Sequence, residues 1–183
     1  GMKYVHAIEL YMTENKDNKV RDNYHMIAIA KNWDGVKEIN RMVTISNNRK
    51  DGHFYYSPRI TLDEMESLSE NIILTSACLG GPLNDGTDEV KQRVIEYFTK
   101  HRDRCFFEIQ HHCVDEQCRY NLYLQDLSHK TGVRLIAGTD THSLNEKLAK
   151  ARVILQKSKK VYFEGEDGWD LTFKTYQELV EAY

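Results

Sequence analysis

Only two prolines and ten glycines interrupt these 183 residues. That is too few for a long flexible linker, and the chain shows no internal repeat or low-complexity tract. No apolar run approaches the roughly 20 residues that a bilayer-spanning helix needs. No secretory leader pattern is recognisable ahead of the first periodic segment. The four cysteines, Cys78, Cys105, Cys113 and Cys118, form no Cys-x-x-Cys pair and are too sparse for a disulfide framework. Reduced thiols in a cytoplasmic protein are therefore expected, with no membrane association. An excess of positive charge is also missing, because 25 Lys and Arg stand against 28 Asp and Glu, a net charge of −3. Such a chain has no general attraction for a phosphate backbone. Its basic residues gather along the sequence only at Lys157, Lys159 and Lys160, so tight binding of duplex DNA by the chain alone is not expected.

What is present suits one domain. A 40% hydrophobic content can build a core, and 29% charged residues keep the surface wet. Gly1 ahead of Met2 reads as a protease-cleavage scar and is set aside. Apolar runs at Tyr4 to Met12, Tyr24 to Ala30, Asn71 to Ser76, Cys105 to Gln110 and Val133 to Ala137 read as strands. Helical spacing covers Trp33 to Ser46, Thr87 to about Lys100, Glu116 to Thr131, Asn145 to Lys157 and the end of Leu171 to Tyr183. Thr61 followed by Glu64 has the spacing of a capping box and opens a helix to Ser69. Lys159 to Gly168 carries no clear pattern. The alternation of strand and helix predicts a mostly parallel α/β sheet, open or closed into a barrel. In either form chemistry collects at the C-terminal strand ends. Asp140, His142 and Cys78 stand just after predicted strands, and Glu9 stands inside one.

The strongest local signal is Asp140-Thr141-His142. Alternate residues of an extended segment point the same way, so a carboxylate and an imidazole could grip one ion. That donor pair suits zinc, manganese or iron better than calcium. Alone, the tripeptide is equally a solvated loop. His6, His53, His101, His129 and the pair His111 and His112 read from local context as surface histidines. Cys105, Cys113 and Cys118 read as structural, and Arg59 as an ordinary salt-bridging arginine.

Six segments in order carry a resemblance: HAIELYM at 6–12, YHMIAIAKNWDG at 24–35, FYYSPRI at 54–60, ENIILTSACLGG at 70–81, FFEIQHH with EQCRYN at 106–121, and GTDTHSL at 138–144. Together they resemble the PHP (polymerase and histidinol phosphatase) domain of bacterial DNA polymerase III alpha subunits, over Lys3 to about Gln156. The closing stretch DLTFKTYQELVEAY resembles the region where that domain ends. The resemblance implies a distorted (βα)7 barrel of mostly parallel strands. It puts Glu9, His25, Cys78, Asp140 and His142 on the family's metal ligands, makes Arg59 a candidate phosphate contact, and matches His112 to a recurrent histidine of uncertain role. It implies a divalent transition metal, zinc or manganese, able to activate water and clamp a phosphoryl group. The family's opening His-x-His segment and the Asp-His pair after it find no match ahead of Glu9, and Pro82 stands where an acidic residue often follows the Cys turn. The expectation is therefore a single partial domain over 1–183, incomplete at its N-terminus, with 159–183 as its closing segment and low metal occupancy.

Two functions compete on this reading. One is a structural and interaction module with a residual metal site, working with the rest of a replicative polymerase or its proofreading subunit. It would reach DNA only through that complex, and its open barrel seam allows a homodimer. The other is a metal-dependent phosphoesterase, either a 3′–5′ exonuclease or a histidinol-phosphatase-like hydrolase. The chain has no room for polymerase palm and fingers.

Overall fold

The computed structural model describes residues 1, 3–21, 23–161 and 169–183. Its elements run β1 (Ala7–Thr13), β2 (Tyr24–Ala30), α1 (Trp33–Ser46), β3 (Phe54–Tyr55), β4 (Ser57–Pro58), β5 (Ile60–Thr61), α2 (Leu62–Glu66), β6 (Ile72–Thr75), α3 (Pro82–Asp85), α4 (Asp88–Lys100), β7 (Cys105–Gln110), α5 (Asp115–Thr131), β8 (Arg134–Gly138), α6 (Glu146–Ser158) and α7 (Tyr176–Ala182). Six strands form one sheet in the order β5-β1-β2-β6-β7-β8, and β3 pairs with β4 in a separate ribbon. The pairings β5–β1, β6–β7 and β7–β8 are parallel, whereas β2 is antiparallel to both of its neighbours. That exception follows from the connection. No helix separates β1 from β2, and a right-handed parallel crossover needs a dozen or more residues, usually with a helix. The described sheet stays open between β5 and β8, so the seven-stranded barrel expected from the resemblance is not confirmed.

The strand registers sort side chains onto two faces. Glu9 opposes Ile27, Tyr11 opposes His25, and Ile27 opposes Thr75. Phe106, Glu108 and Gln110 of β7 continue that face from Thr75. The other face carries Leu10, Met12, Met26, Ala28, Leu74, Cys105 and Phe107, all buried. It packs under α1, α2 and α4 through Ile39, Met42, Met65, Val90, Val94 and Phe98. Phe98 stacks on Phe107 with ring centroids 5.9 Å apart. The first face is only half-covered, with Ile27, Ile29, Ile73 and Phe106 partly exposed.

Local chemistry sets the element ends. Thr61 and Glu64 form the expected capping box on α2, though α2 stops at Glu66 rather than Ser69 because the Ser67 and Leu68 amides close the last turn. Thr87, Asn32 and Asn145 cap α4, α1 and α6 through their side chains. Gly132 ends α5 at φ 72°, the left-handed position that glycine adopts without strain. The short α3 and the strands β3 to β5 were not legible in the sequence, being too brief to show a period. No described helix is long and apolar enough to cross a membrane.

Of the closing segment, 169–183 lies against the strand tops. Leu171 O accepts from the His142 and Ser143 amides, at 2.9 and 3.0 Å. Tyr183 Oη donates to Ile109 O at 2.7 Å and to Gly138 O at 2.9 Å. The stretch 162–168, most of the segment without a sequence pattern, lies outside the described residues.

Candidate functional site

Glu9 and His25 face each other across the antiparallel pair β1–β2. His25 Nδ1 lies 2.7 Å from Glu9 Oε1 and 3.4 Å from Cys78 Sγ. The turn after β6 wraps around this imidazole, since Gly80 O accepts from the His25 amide at 2.8 Å. That wrapping explains the paired glycines. A Cβ on Gly80 would stand 3.1 Å from the His25 ring, and one on Gly81 only 2.2 Å from Ser76 O. Ala77 takes φ 55° to swing Cys78 inward. Tyr11 stacks on the His25 ring, with centroids 4.9 Å apart and planes 26° apart. Tyr11 was not among the candidate site residues, although its place two residues beyond Glu9 on one strand puts it on the same face.

The electrostatics follow from this geometry. Burial opposes a charge on His25, but hydrogen bonds to Cys78 and Glu9 outweigh it and push the imidazole up to about 10. The His25 hydrogen bond holds the Glu9 carboxyl below its usual range, against partial desolvation. The positive fields of His25 and then His142 lower it further. Although it stands in an apolar strand, Glu9 keeps its side chain 42% exposed.

Asp140 and His142 come from the loop after β8. Their pairing does not use extended backbone, because Asp140 sits at φ 45° in the left-handed region. The turn makes Asp140 O accept from His142 Nδ1 at 2.7 Å, and leaves Asp140 Oδ1 at 3.9 Å from the same nitrogen. His25 thus meets both Glu9 and Cys78, Asp140 pairs with His142, and the field of His142 reaches Glu9. Among the described residues, no three His, Cys, Asp or Glu side chains are arranged as a metal-holding group. In donor chemistry Glu9, His25 and Cys78 suit a transition metal, combining carboxylate, imidazole and thiol. In arrangement, His25 Nδ1 is engaged by both neighbours, so that nitrogen coordinates only if those hydrogen bonds give way.

Arg59 lies elsewhere and is 1% exposed. It donates to Val20 O at 2.8 Å, Gly52 O at 3.0 Å, and His53 O and Lys16 O at 3.3 Å. Its visible work is to bind two loops together. His112 is buried between His111 and Trp169, with ring centroids at 4.7 and 5.0 Å. Burial, then the neighbouring His111, lowers its basicity. The surface reading of His111 and His112 is therefore corrected, because the closing segment covers both. His53 is corrected as well. It is buried, with Nδ1 2.7 Å from Asp51 and Nε2 2.8 Å from Glu64. Its signal was the polar ladder Asp51-x-His53 beside the capping glutamate.

Glu108 is a further buried carboxylate that the sequence left unassigned. It accepts from Thr75 Oγ1 at 2.5 Å and Gln110 Nε2 at 3.0 Å. A Cβ on Gly138 would stand 2.0 Å from its Oε1, so a larger residue where β8 enters the Asp140 loop would have to displace the Glu108 carboxylate from Thr75 and Gln110.

The model of the PHP domain family matches residues 1–112. This chain belongs to the PHP domain family. The PHP chain is also similar to DNA polymerase III subunit alpha of Borreliella burgdorferi, 32% identical over 166 residues and covering 85% of this chain. The subunits of Aquifex aeolicus and Helicobacter pylori are 30% and 31% identical, over 85% and 84% of this chain. The PHP chain spans only about 14% of the length of these relatives. The family that the six segments resembled is thus shown.

Proposed function

We propose that this PHP domain is a structural and interaction module of a DNA polymerase III alpha-like replication protein, working in the cytoplasm and carrying a residual metal site. The observation that supports this reading is the contact of His25 with Glu9 and Cys78, while Asp140 and His142 form a separate pair. Those five residues would hold a zinc or manganese ion. Such an ion, when bound, supplies Lewis acidity and an activated water. The protein's own contribution is positional. Gly80 and Gly81 fold the Cys turn onto His25, Tyr11 holds the ring, and Leu171 fixes the backbone of His142. A multi-metal hydrolytic site needs ions about 3.5–4 Å apart, each with its own donors. The five candidate donors would suffice for one.

The test is an assay of the purified chain with zinc or manganese, on p-nitrophenyl phosphate and on single-stranded DNA, beside gel filtration with a proofreading subunit and a polymerase core. The expected result is no hydrolysis and a stable complex. Metal-dependent release of phosphate or mononucleotide, abolished by Asp140→Ala, would instead establish a phosphoesterase.

A further inference from the structure

We propose that the loop after β1 and the loop after α1 together form a binding surface for single-stranded nucleic acid, separate from the metal site. The two loops touch closely. Gly52 sits at φ +90°, and a Cβ there would stand 2.6 Å from Lys16 O. The Arg59 guanidinium lies beneath and ties Lys16, Val20, Gly52 and His53 together through their carbonyls. This assembly encloses a surface pocket of about 410 Å³ whose lining includes Lys16, Lys19, Arg49 and Lys50, with Asp17 and Asp51 as the opposing charges. Asp51 is engaged by His53 at 2.7 Å and by Asn48 at 2.8 Å. Lys16, Lys19, Arg21, Arg49 and Lys50 make no ion pair among the described residues. The sequence scatters these cations over 35 positions, so only the fold reveals their cluster.

Aromatic faces adjoin the charge. The Arg21 guanidinium lies 3.7 Å from the Tyr56 ring centroid, and that of Arg49 lies 3.8 Å from the centroid of Phe54. Tyr56 is held at φ 61°, a strained position for a bulky residue, and is 66% exposed. Planar faces beside mobile cations are how sequence-tolerant single-strand binders work, with bases stacking while the backbone tracks the charge. A duplex hides its base faces, and these loops present no helix for a major groove. Because β1 and β6 both run antiparallel to β2, the surface lies at the same end of the sheet as the Cys78 turn.

The experiment is fluorescence anisotropy of the 183-residue chain with labelled oligothymidine, in EDTA, at several salt concentrations. EDTA separates this proposal from the metal reading. We expect saturable micromolar binding that is weaker for a duplex of equal length. Arg49→Glu/Lys50→Glu, both exposed, should weaken binding at least tenfold and flatten the log–log salt slope by about 1.4, at about 0.7 per phosphate contact. Tyr56→Ala should weaken it about tenfold with the slope unchanged. Circular dichroism confirms that each variant is folded. No saturable binding at low salt, equal or tighter binding of duplex, or indifference to the folded double variant would overturn the proposal.

Discussion

The guanidinium of Arg59 illustrates what a single residue carries in this fold. With 1% exposure and backbone carbonyls from both loops as acceptors, its removal leaves buried polar groups unsatisfied, each costing about 1–3 kcal/mol. Arg59→Met should therefore destabilise the chain by roughly 3–5 kcal/mol in urea denaturation. Arg59→Lys should recover only part, because an ammonium lacks the planar fork. Wild-type stability in Arg59→Met would remove the bracing role. Gly138→Ala makes a second residue-scale test. The added methyl would fall 2.0 Å from Glu108 Oε1, so a loss of more than about 2 kcal/mol is expected from overpacking. The ligand candidates came from the resemblance, and of them His25 meets Glu9 and Cys78. Burial was not legible. His53 and His112 read as surface groups, and Arg59 as a salt-bridging one, because what covers them comes from distant loops or from the closing segment, which local patterning does not report.

At the scale of elements, the sequence was read best where periodicity was long. Helices α1, α4, α5 and α6 and strands β2, β6, β7 and β8 fall within a few residues of their expected positions. β1 starts at Ala7 rather than Tyr4, because its partner β2 ends at Ala30. The antiparallel setting of β2 was missed, since an apolar run does not state its direction. The capping box on α2 was foreseen, but not that Glu64 does two jobs. One oxygen accepts from the Thr61 amide at 2.8 Å while the other bonds His53. Thr61→Ala should therefore cost about 1 kcal/mol, an ordinary cap loss. Glu64→Ala should cost clearly more, because it also strands His53. Equal losses in the two variants, measured by thermal denaturation, would show that the His53 contact contributes nothing.

Among the described residues, one side of the sheet is covered by a continuous core and the other is only half-covered. The helical face buries a continuous core, while α6 has no buried residue and Leu148, Ile154 and Leu155 are 47%, 70% and 54% exposed. Strands β5 and β8 end the described sheet without further partners, and open edges with apolar surface favour association. Sedimentation velocity should show dimers that grow with concentration, and a monomer throughout would mean that this side is simply solvated.

The proposed metal centre would unite these scales, since it would need strand register, the glycine turn and the closing segment at once. Cobalt titration monitored by ultraviolet absorption is the decisive measurement, because a thiolate-to-cobalt charge-transfer band that is lost in Cys78→Ser marks Cys78 as a ligand, whereas the exposed Cys113 and Cys118 would give a band that survives. A band is expected that saturates at no more than one ion per chain, is absent in Cys78→Ser and is diminished in His25→Ala and Glu9→Gln. No band at any cobalt concentration, or the same binding in Cys78→Ser, would contradict that proposal.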